Sequence, residues 1–309
     1  MLNNLEVAIF SYNRGKYLKN CVDSVRENLP NVKITIFDDY SDDEETIHYL
    51  NSLGDQVALG ANTQGSRHGN LYKNMQLALD HSSKPFLLLL QDDLQVIRKI
   101  NHHDMNTIQA IFNDPDIAFL RPQFMKLDDG KRNTELLSPS TTVRAYYPKT
   151  SFLEGTFVHA YSDVGLCHTT KLKKVSWQFA DNERENQINA LKIFKYMPFM
   201  ADTFIFYCPE VPCYRNKKLL LASKLVQKKL KGTISRYLTF SNEKNLHFTS
   251  RDIHNWPIAE DFLETSNTSI MKPFVYQDYK KSFFLRSLYK LERAAHGINA
   301  ILNLRAFKK

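Results

Sequence analysis

Glycine, cysteine and long apolar runs are scarce in this sequence of 309 residues, and each scarcity excludes a class of protein. Ten glycines without a fixed repeat exclude collagen-like and linker-like chains. Four scattered cysteines are too few for a disulfide framework and fit no zinc knuckle, so we expect reduced thiols. The longest apolar run covers residues 85–90, far short of the roughly 20 residues of a membrane span. Since residues 1–5 also lack the pattern of a secretory signal, we expect a cytoplasmic protein.

Positive charge is concentrated in the last third of the chain. The whole chain carries a formal charge of +8. Residues 217–309 hold 18 Lys and Arg against 7 Asp and Glu, whereas residues 1–216 hold 23 against 26. A neutral-to-acidic body with a basic tail suggests that the tail meets an anionic surface. We therefore predict a domain over 1–216 and a basic helical C-terminal region over 217–309.

Strand-like and helix-like patterns alternate along the first 130 residues. Strands are predicted over 6–11, 33–37, 57–59, 85–90 and 117–121, and helices over 16–28, 42–53 and 69–81. This alternation predicts an α/β fold with a mostly parallel sheet and helices on both faces. Farther along the chain the expected elements are a mobile loop over 128–148, a strand pair over 154–168, a helix over 182–197, and basic amphipathic helices over 217–240 and 280–307.

Polar clusters follow three of the predicted strands. They are Ser-Tyr-Asn-Arg at 11–14, Asp-Asp at 38–39 and Asp-Asp at 92–93. Because ligands of parallel sheets bind beyond the carboxyl ends of the strands, we expect these clusters to meet in one crevice. Two adjacent carboxylates attract a hard divalent cation, which can bridge to phosphate oxygens. The alternative is that each acidic pair merely ends a strand.

The ordered set of these motifs resembles the family 2 glycosyltransferases of the GT-A fold. In that family a first strand leads into a Ser/Thr-x-Asn-Arg-like turn, and a second strand ends in Asp-Asp-x-Ser, here residues 38–41. A later strand ends in an Asp-x-Asp metal motif, whose first position here is Gln91. The resemblance covers roughly residues 5–100. It implies a GT-A domain with a nucleotide-binding half over 1–100 and an acceptor half over 101–216.

The resemblance also implies roles for individual residues near the donor. Ser11, Tyr12 and Arg14 would line the nucleotide pocket, and Asp38 or Asp39 would accept a hydrogen bond from the base. Asp93 would hold Mn²⁺ or Mg²⁺ against the diphosphate, with Asp92 beside it near the ribose or sugar. The segment that contacts the base or phosphate in the family supplies three further candidates: Arg67, Lys73 and Asn74.

A glycosyl transfer of this kind needs a carboxylate base, because the acceptor hydroxyl must lose a proton as it attacks. The family places this base near the start of a helix in the second half. Glu183 is the first candidate there, followed by Asp181 and Glu185. The alternative is that these acids only favour the helix N-terminus. Inverting stereochemistry is implied by the family, and the absence of a Gln-x-x-Arg-Trp run favours a non-processive enzyme.

We therefore expect a metal-dependent hexosyltransferase that moves one sugar from a nucleotide sugar, UDP-linked by preference, to a glycan or lipid-linked acceptor. The implied setting is bacterial lipopolysaccharide or capsule synthesis, with the basic helices on the anionic inner face of the cell membrane.

Two alternatives stay open. Gln91 and Asn216, which replace expected metal ligands, would suit a non-catalytic relative. The basic region could bind nucleic acid, although the carboxylate-rich body makes this partner unexpected.

Overall fold

The computed structural model describes residues 2–59, 70–149, 160–215, 218–230 and 233–306. The chain forms two compact units. The first unit comprises Met1–Phe206 and Tyr237–Glu264, and the second comprises Tyr207–Arg236 and Thr265–Lys309. The boundary at residue 216 stays a prediction from charge alone.

The helices and strands are numbered here in chain order. The strands are β1 (Leu5–Ser11), β2 (Lys33–Asp38), β3 (Val57–Leu59), β4 (Phe86–Gln91), β5 (Leu94–Val96), β6 (Phe119–Leu120), β7 (Leu137–Ser140), β8 (Ala145–Pro148), β9 (Gly165–His168), β10 (Phe199–Met200), β11 (Ile205–Tyr207), β12 (Tyr214–Arg215) and β13 (Lys218–Leu219). The helices are α1 (Gly15–Asn28), α2 (Glu44–Leu53), α3 (Leu71–His81), α4 (His102–Phe112), α5 (Leu127–Leu136), α6 (Thr169–Lys174), α7 (Glu183–Ile193), α8 (Leu221–Leu230), α9 (Asn242–Ser250), α10 (Ala259–Phe262) and α11 (Phe283–Ala306).

A six-stranded sheet in the order β3-β2-β1-β4-β9-β6 forms the centre of the first unit. β1 runs parallel to β2 and β4, and β2 runs parallel to β3, whereas β9 is antiparallel to β4 and β6. Every residue of β1 is buried, as expected for a central strand with both faces covered. The predicted α/β fold with a mainly parallel central sheet is confirmed.

An aromatic cluster packs on one face of this sheet. The ring of Phe119 on β6 lies 5.1 Å from that of Tyr161 and 5.5 Å from that of Trp177. Phe194, directly after α7, reaches the same ring at 6.1 Å. The edge-to-face geometry of these contacts adds to the burial of large apolar surfaces. The cluster therefore anchors α7, whose first turn carries the predicted catalytic acids.

Glycine is required where α1 begins. A Cβ on Gly15 would lie 2.8 Å from the backbone nitrogen of Thr46 and 2.9 Å from the carbonyl carbon of Glu45. Asp43 caps α2 by accepting a hydrogen bond from the Thr46 N–H at 2.9 Å. The close approach of α1 to α2 therefore leaves no room for a side chain at position 15.

Some sequence-based expectations for the second half are wrong. Residues 128–148, expected to be a mobile loop, form most of α5 and the hairpin β7–β8. This segment orders because Tyr146 is fully buried, stacks on Trp256 at 4.1 Å and donates to the Ile253 carbonyl at 2.8 Å. The helix expected over 182–197 ends at Ile193, where Phe194 turns into extended backbone to bury its ring.

Two other expected elements also differ. The helix expected over 217–240 is found only as α8, and residues 233–240 are not helical. Of the strand pair expected over 154–168, β9 is present, and residues 154–159 lie outside the described part of the chain.

The second unit contains the hairpin β12–β13 and the helices α8 and α11. The Ser223 hydroxyl on α8 donates to the buried Asp278 carboxylate at 2.7 Å. The Leu221 N–H at the start of α8 donates to the Glu292 carboxylate of α11 at 3.0 Å. Within the described residues, no helix is both long enough and apolar enough to cross a membrane.

Candidate active site

The turn between β1 and α1 is shaped by Asn13, which adopts a left-handed conformation with φ of 49°. Asparagine tolerates this region better than most residues. The Tyr12 N–H in this turn donates to Asp92 Oδ2 at 3.0 Å. The Asn13 side chain reaches the turn after β2, where its amide donates to Asp42 Oδ1 at 2.5 Å and accepts from the Asp42 N–H at 2.8 Å. Asn13 therefore ties together the polar ends of two strands.

Asp38 ends β2 beside an open cavity. Its carboxylate accepts hydrogen bonds from the Ser41 N–H at 2.7 Å and the Ser41 hydroxyl at 2.6 Å. Burial raises the pKa of Asp38, against the lowering effect of these hydrogen bonds. The cavity measures about 390 Å³ and is lined by Asp38, Tyr40, Leu50, Asn51, Gly54, Val57 and Ala58. It is a concave space with a polar acceptor at its wall.

Asp39 lies next to Asp38 but faces a different partner. Its N–H donates to the Ser11 carbonyl at 2.9 Å, and its Oδ1 accepts from the Asn70 amide at 2.6 Å. Ser11, Asp39 and Asn70 are all buried. These contacts join the ends of β1 and β2 to the residue that precedes α3.

Arg14 contacts both carboxylates that follow β4. Its Nη1 lies 3.0 Å from Asp92 Oδ1 and 2.5 Å from Asp93 Oδ2. The carboxylate side chains are 4% and 0% exposed, whereas that of Arg14 is 19% exposed. The Asp92 N–H donates to the Phe10 carbonyl at 2.9 Å, which fixes the acidic pair at the end of β1. Burial raises the pKa of Asp92 to about 7; Asp93 adds to the rise, and Arg14 opposes it.

The donor set of Asp92 and Asp93 suits a divalent ion that brings further ligands with it. Among the described residues, no three His, Cys, Asp or Glu side chains converge to hold a metal. A site for Mg²⁺, however, commonly uses one or two carboxylates and completes its coordination with water and substrate phosphates. The two adjacent carboxylates therefore fit an ion that binds together with a phosphate.

Asp163 is a candidate functional residue that the sequence reasoning missed. It lies two residues before Gly165, which pairs with Leu89, so it stands near the carboxyl end of β4. The Tyr72 hydroxyl on α3 donates to Asp163 Oδ2 at 2.9 Å. Burial raises the pKa of Asp163 to about 6, and the charge of Glu183 adds to the rise. No sequence pattern could have identified Asp163, because a lone Asp before an antiparallel strand has no distinctive surroundings.

The predicted catalytic acids lie at the start of α7. Asn182 caps this helix by accepting a hydrogen bond from the Glu185 N–H at 3.0 Å. Asp181, Glu183 and Glu185 are exposed. One turn later, the Gln187 carbonyl oxygen accepts from the backbone N–H groups of Ala160 and Tyr161, both at 3.0 Å. The start of α7 is therefore held beside the segment that carries Asp163.

The structure thus brings together only some of the predicted site residues. Tyr12, Arg14, Asp92 and Asp93 form one hydrogen-bonded group, and Ser11, Asp38 and Asp39 lie at the adjoining strand ends. Lys73 is exposed on α3, and its neighbour Asn74 is buried within the same helix. Arg67 and Asn216 lie outside the described residues.

Comparison with known families agrees with this arrangement. Residues 6–146 match the model of the family described as glycosyl transferase family 2. The matched residues include the β1–α1 turn, the end of β2 and the carboxylates that follow β4. This match covers somewhat less than half of the chain, and it supports the prediction of a glycosyltransferase. No curated protein matches the chain.

Solved structures that match this chain share little sequence with it. One is TarS of S. aureus in complex with UDP-GlcNAc, at 15% identity and a TM-score of 0.44, with 70% of this chain and 61% of that chain covered. Another is the mannosyltransferase PcManGT of Pyrobaculum calidifontis with GDP-Man and Mn²⁺, at 13% identity and a TM-score of 0.41, with 64% and 56% covered. GalNAc-T7 with UDP, GalNAc and Mn²⁺ matches at 13% identity and a TM-score of 0.45, with 66% and 43% covered. The chain spans about three fifths or less of the length of these structures.

Proposed function

We propose that this chain is a metal-dependent, inverting and non-processive hexosyltransferase that moves one sugar from a nucleotide sugar to a glycan or lipid-linked acceptor. The observation that carries the proposal is the buried pair Asp92 and Asp93 at the end of β4, in contact with Arg14 and inside the family match. A nucleoside diphosphate leaves with additional negative charge, so its departure needs fixed positive charge. Arg14 and a metal ion held by the acidic pair can supply that charge at the end of β4.

The nucleoside is proposed to bind at the ends of β1 and β2. Asp38 borders a cavity of about 390 Å³ and keeps a carboxylate where a base could donate a hydrogen bond to it. Tyr12 and Ser11 stand at the adjoining strand end, where the Asp39 N–H donates to the Ser11 carbonyl. Arg67, Lys73 and Asn74 keep their proposed roles toward the base or phosphate. UDP is the proposed donor nucleotide.

Asp93, together with Asp92, is proposed to hold Mn²⁺ or Mg²⁺. When bound, such an ion neutralises charge on the leaving diphosphate. Arg14 supplies a second cation at the same place, and its planar guanidinium suits phosphate oxygens. Its backbone lies directly before α1, so it belongs to the turn that Asn13 fixes.

Glu183 is proposed as the general base that takes the proton of the acceptor hydroxyl. It is exposed at the start of α7, so an acceptor can reach it. Its charge acts on Asp163, which Tyr72 holds by a hydrogen bond, so the two carboxyls lie near each other. The second choices are Glu185, in the first turn of α7, and Asp181, which precedes the helix. We expect Glu183→Gln to lower kcat with little change in KM for the donor.

The second unit is proposed to bind an anionic membrane surface on the cytoplasmic side, in the assembly of a bacterial lipopolysaccharide or capsule. Phe283, Phe284 and Leu291 of α11 are 83%, 66% and 69% exposed. Exposed cations Arg286 and Lys290 lie on the same helix. Aromatic and basic residues together favour the interface of an anionic bilayer. Sedimentation with anionic and with neutral vesicles tests this, and equal binding to both contradicts it.

Calorimetric titration with UDP, GDP and dTDP, each with and without Mn²⁺, tests the donor site. We expect one nucleotide to bind, to bind more tightly with Mn²⁺, and to lose that gain in Asp93→Asn. Asp128→Asn is the matched control, because Asp128 is an exposed carboxylate on α5. If no nucleotide binds at millimolar concentration, the proposal is wrong and the non-catalytic or nucleic-acid alternative takes its place.

A further inference from the structure

We infer that Arg14 competes with a divalent cation for the oxygens of Asp92 and Asp93, and that a diphosphate relieves this competition by binding the guanidinium. This inference rests on the proposed function. Its consequence is an order of binding, in which the metal enters with the nucleotide or after it. Arg14 would then act as a built-in cation that holds the acidic pair until the donor arrives.

Arg14 already occupies one oxygen of each carboxylate. One nitrogen of Arg14, Nη1, contacts Asp92 Oδ1 at 3.0 Å and Asp93 Oδ2 at 2.5 Å. The remaining oxygen of Asp92, Oδ2, already accepts the Tyr12 N–H at 3.0 Å. An ion that used Asp92 Oδ1 or Asp93 Oδ2 would therefore have to displace the guanidinium from that oxygen.

The charges at the site also favour competition between Arg14 and a divalent ion. With both carboxylates ionised, as a bound metal requires, the pair and the Arg14 guanidinium carry a net charge of −1 in a place where the carboxylates are at most 4% exposed. Adding a divalent ion while Arg14 stays would bring three positive charges against two negative ones. The ion and the guanidinium would then repel each other at short range, in a place where water screens charges poorly. A diphosphate brings negative charges that offset the excess positive charge, so the ion and Arg14 can both remain when it is present.

Arg14 is able to change partners without moving the backbone. Its side chain is 19% exposed, whereas the Asp93 side chain is fully buried, so Arg14 approaches the pair from the solvent side. The arginine side chain is long, and its fork binds phosphate oxygens as well as carboxylates. A diphosphate arriving from solvent therefore meets the guanidinium before it meets the acidic pair.

The test is a Mn²⁺ titration of the full chain, followed by the electron paramagnetic resonance signal of free Mn²⁺, with and without UDP. We expect Arg14→Gln to bind Mn²⁺ without UDP about tenfold more tightly than the wild type, or better, since an ion-pair contact no longer has to be broken. The gain from UDP should be smaller in this variant. Lys16→Gln is the control, because it removes a nearby exposed cation that pairs with Glu45 rather than with the acidic pair.

Equal or weaker Mn²⁺ affinity in Arg14→Gln overturns the inference. If UDP-bound wild type takes up Mn²⁺ while Arg14→Gln gains nothing, the inference alone is wrong. If no protein binds Mn²⁺ even with UDP, the metal dependence in the proposed function is wrong as well. Should Arg14→Gln fail to fold, Arg14→Lys decides: its ammonium is a point charge, so we expect tighter Mn²⁺ binding than in the wild type by a smaller factor. Unchanged affinity in Arg14→Lys contradicts the inference.

Discussion

Replacing Asp163 by Asn should stabilise the protein at neutral pH and leave its stability unchanged in acid. Burial and the charge of Glu183 raise the pKa of Asp163 from 3.8 to about 6, against hydrogen bonds from Tyr72 and Tyr161 that lower it. A raised carboxyl pKa means that the fold disfavours the ionised form. Ionisation of Asp163 therefore costs stability above the folded pKa, and this cost disappears as the pH falls toward the unfolded value.

The size of the effect follows from the shift. A change of about two pKa units corresponds to at most about 3 kcal/mol, at about 1.4 kcal/mol per unit. Asparagine keeps an oxygen that can accept the Tyr72 hydroxyl, whose contact with Asp163 measures 2.9 Å. The variant therefore removes the charge while it preserves the hydrogen bond from Tyr72.

Urea unfolding of wild type and Asp163→Asn at about pH 7.5 and about pH 4 measures this difference. We expect the variant to gain stability at the higher pH and to match the wild type at the lower one. Asp128→Asn, on an exposed carboxylate, should show no such pH dependence. A difference between wild type and Asp163→Asn that is the same at both pH values would refute the account of this carboxyl.

Three further substitutions test how the fold supports the site. Asp104→Ala removes the ion partner of Arg98, whose side chain is 0% exposed and lies 2.6 Å from the Asp104 carboxylate. Unfolding in guanidinium chloride should show that the free energy of unfolding falls by about 3–5 kcal/mol. Gly15→Ala should lower the free energy of unfolding by about 1–3 kcal/mol, because its Cβ would press on the backbone of Thr46; unchanged stability would contradict that packing. Asn13→Gly keeps the left-handed turn but loses the side-chain amide that joins the ends of two strands. Calorimetry should show that UDP binds about tenfold more weakly while the fold stays intact.

The strand ends could be predicted from sequence because parallel strands bring their carboxyl ends to one edge. The polar clusters at 11–14, 38–39 and 92–93 follow buried strands directly, and the order β2-β1-β4 makes those strands neighbours. Local sequence therefore sufficed to locate this part of the candidate site. It could not indicate that Arg14 would contact both acidic residues, because that contact spans nearly 80 residues of chain.

Other features depend on tertiary contacts that leave no local pattern. Asp163 reaches the site only because β9 runs antiparallel to β4, an exception to the parallel order. The polar composition of residues 128–148 predicts a loop. The segment nevertheless forms a helix and a hairpin, because Tyr146 stacks on Trp256, which follows more than a hundred residues later in the chain. In both places the deciding partner is distant in sequence.

The central claim is that the buried acidic pair of Asp92 and Asp93 serves glycosyl transfer from a nucleotide sugar. The most direct test is the release of UDP from a panel of UDP-hexoses, with water as the sugar acceptor, by the wild type and by Asp93→Asn in the presence of Mn²⁺, with circular dichroism as the check on folding. We predict release from at least one donor by the wild type and a rate lower by about a hundredfold or more in Asp93→Asn. Equal rates for the two proteins, or no release from any donor, would contradict the account.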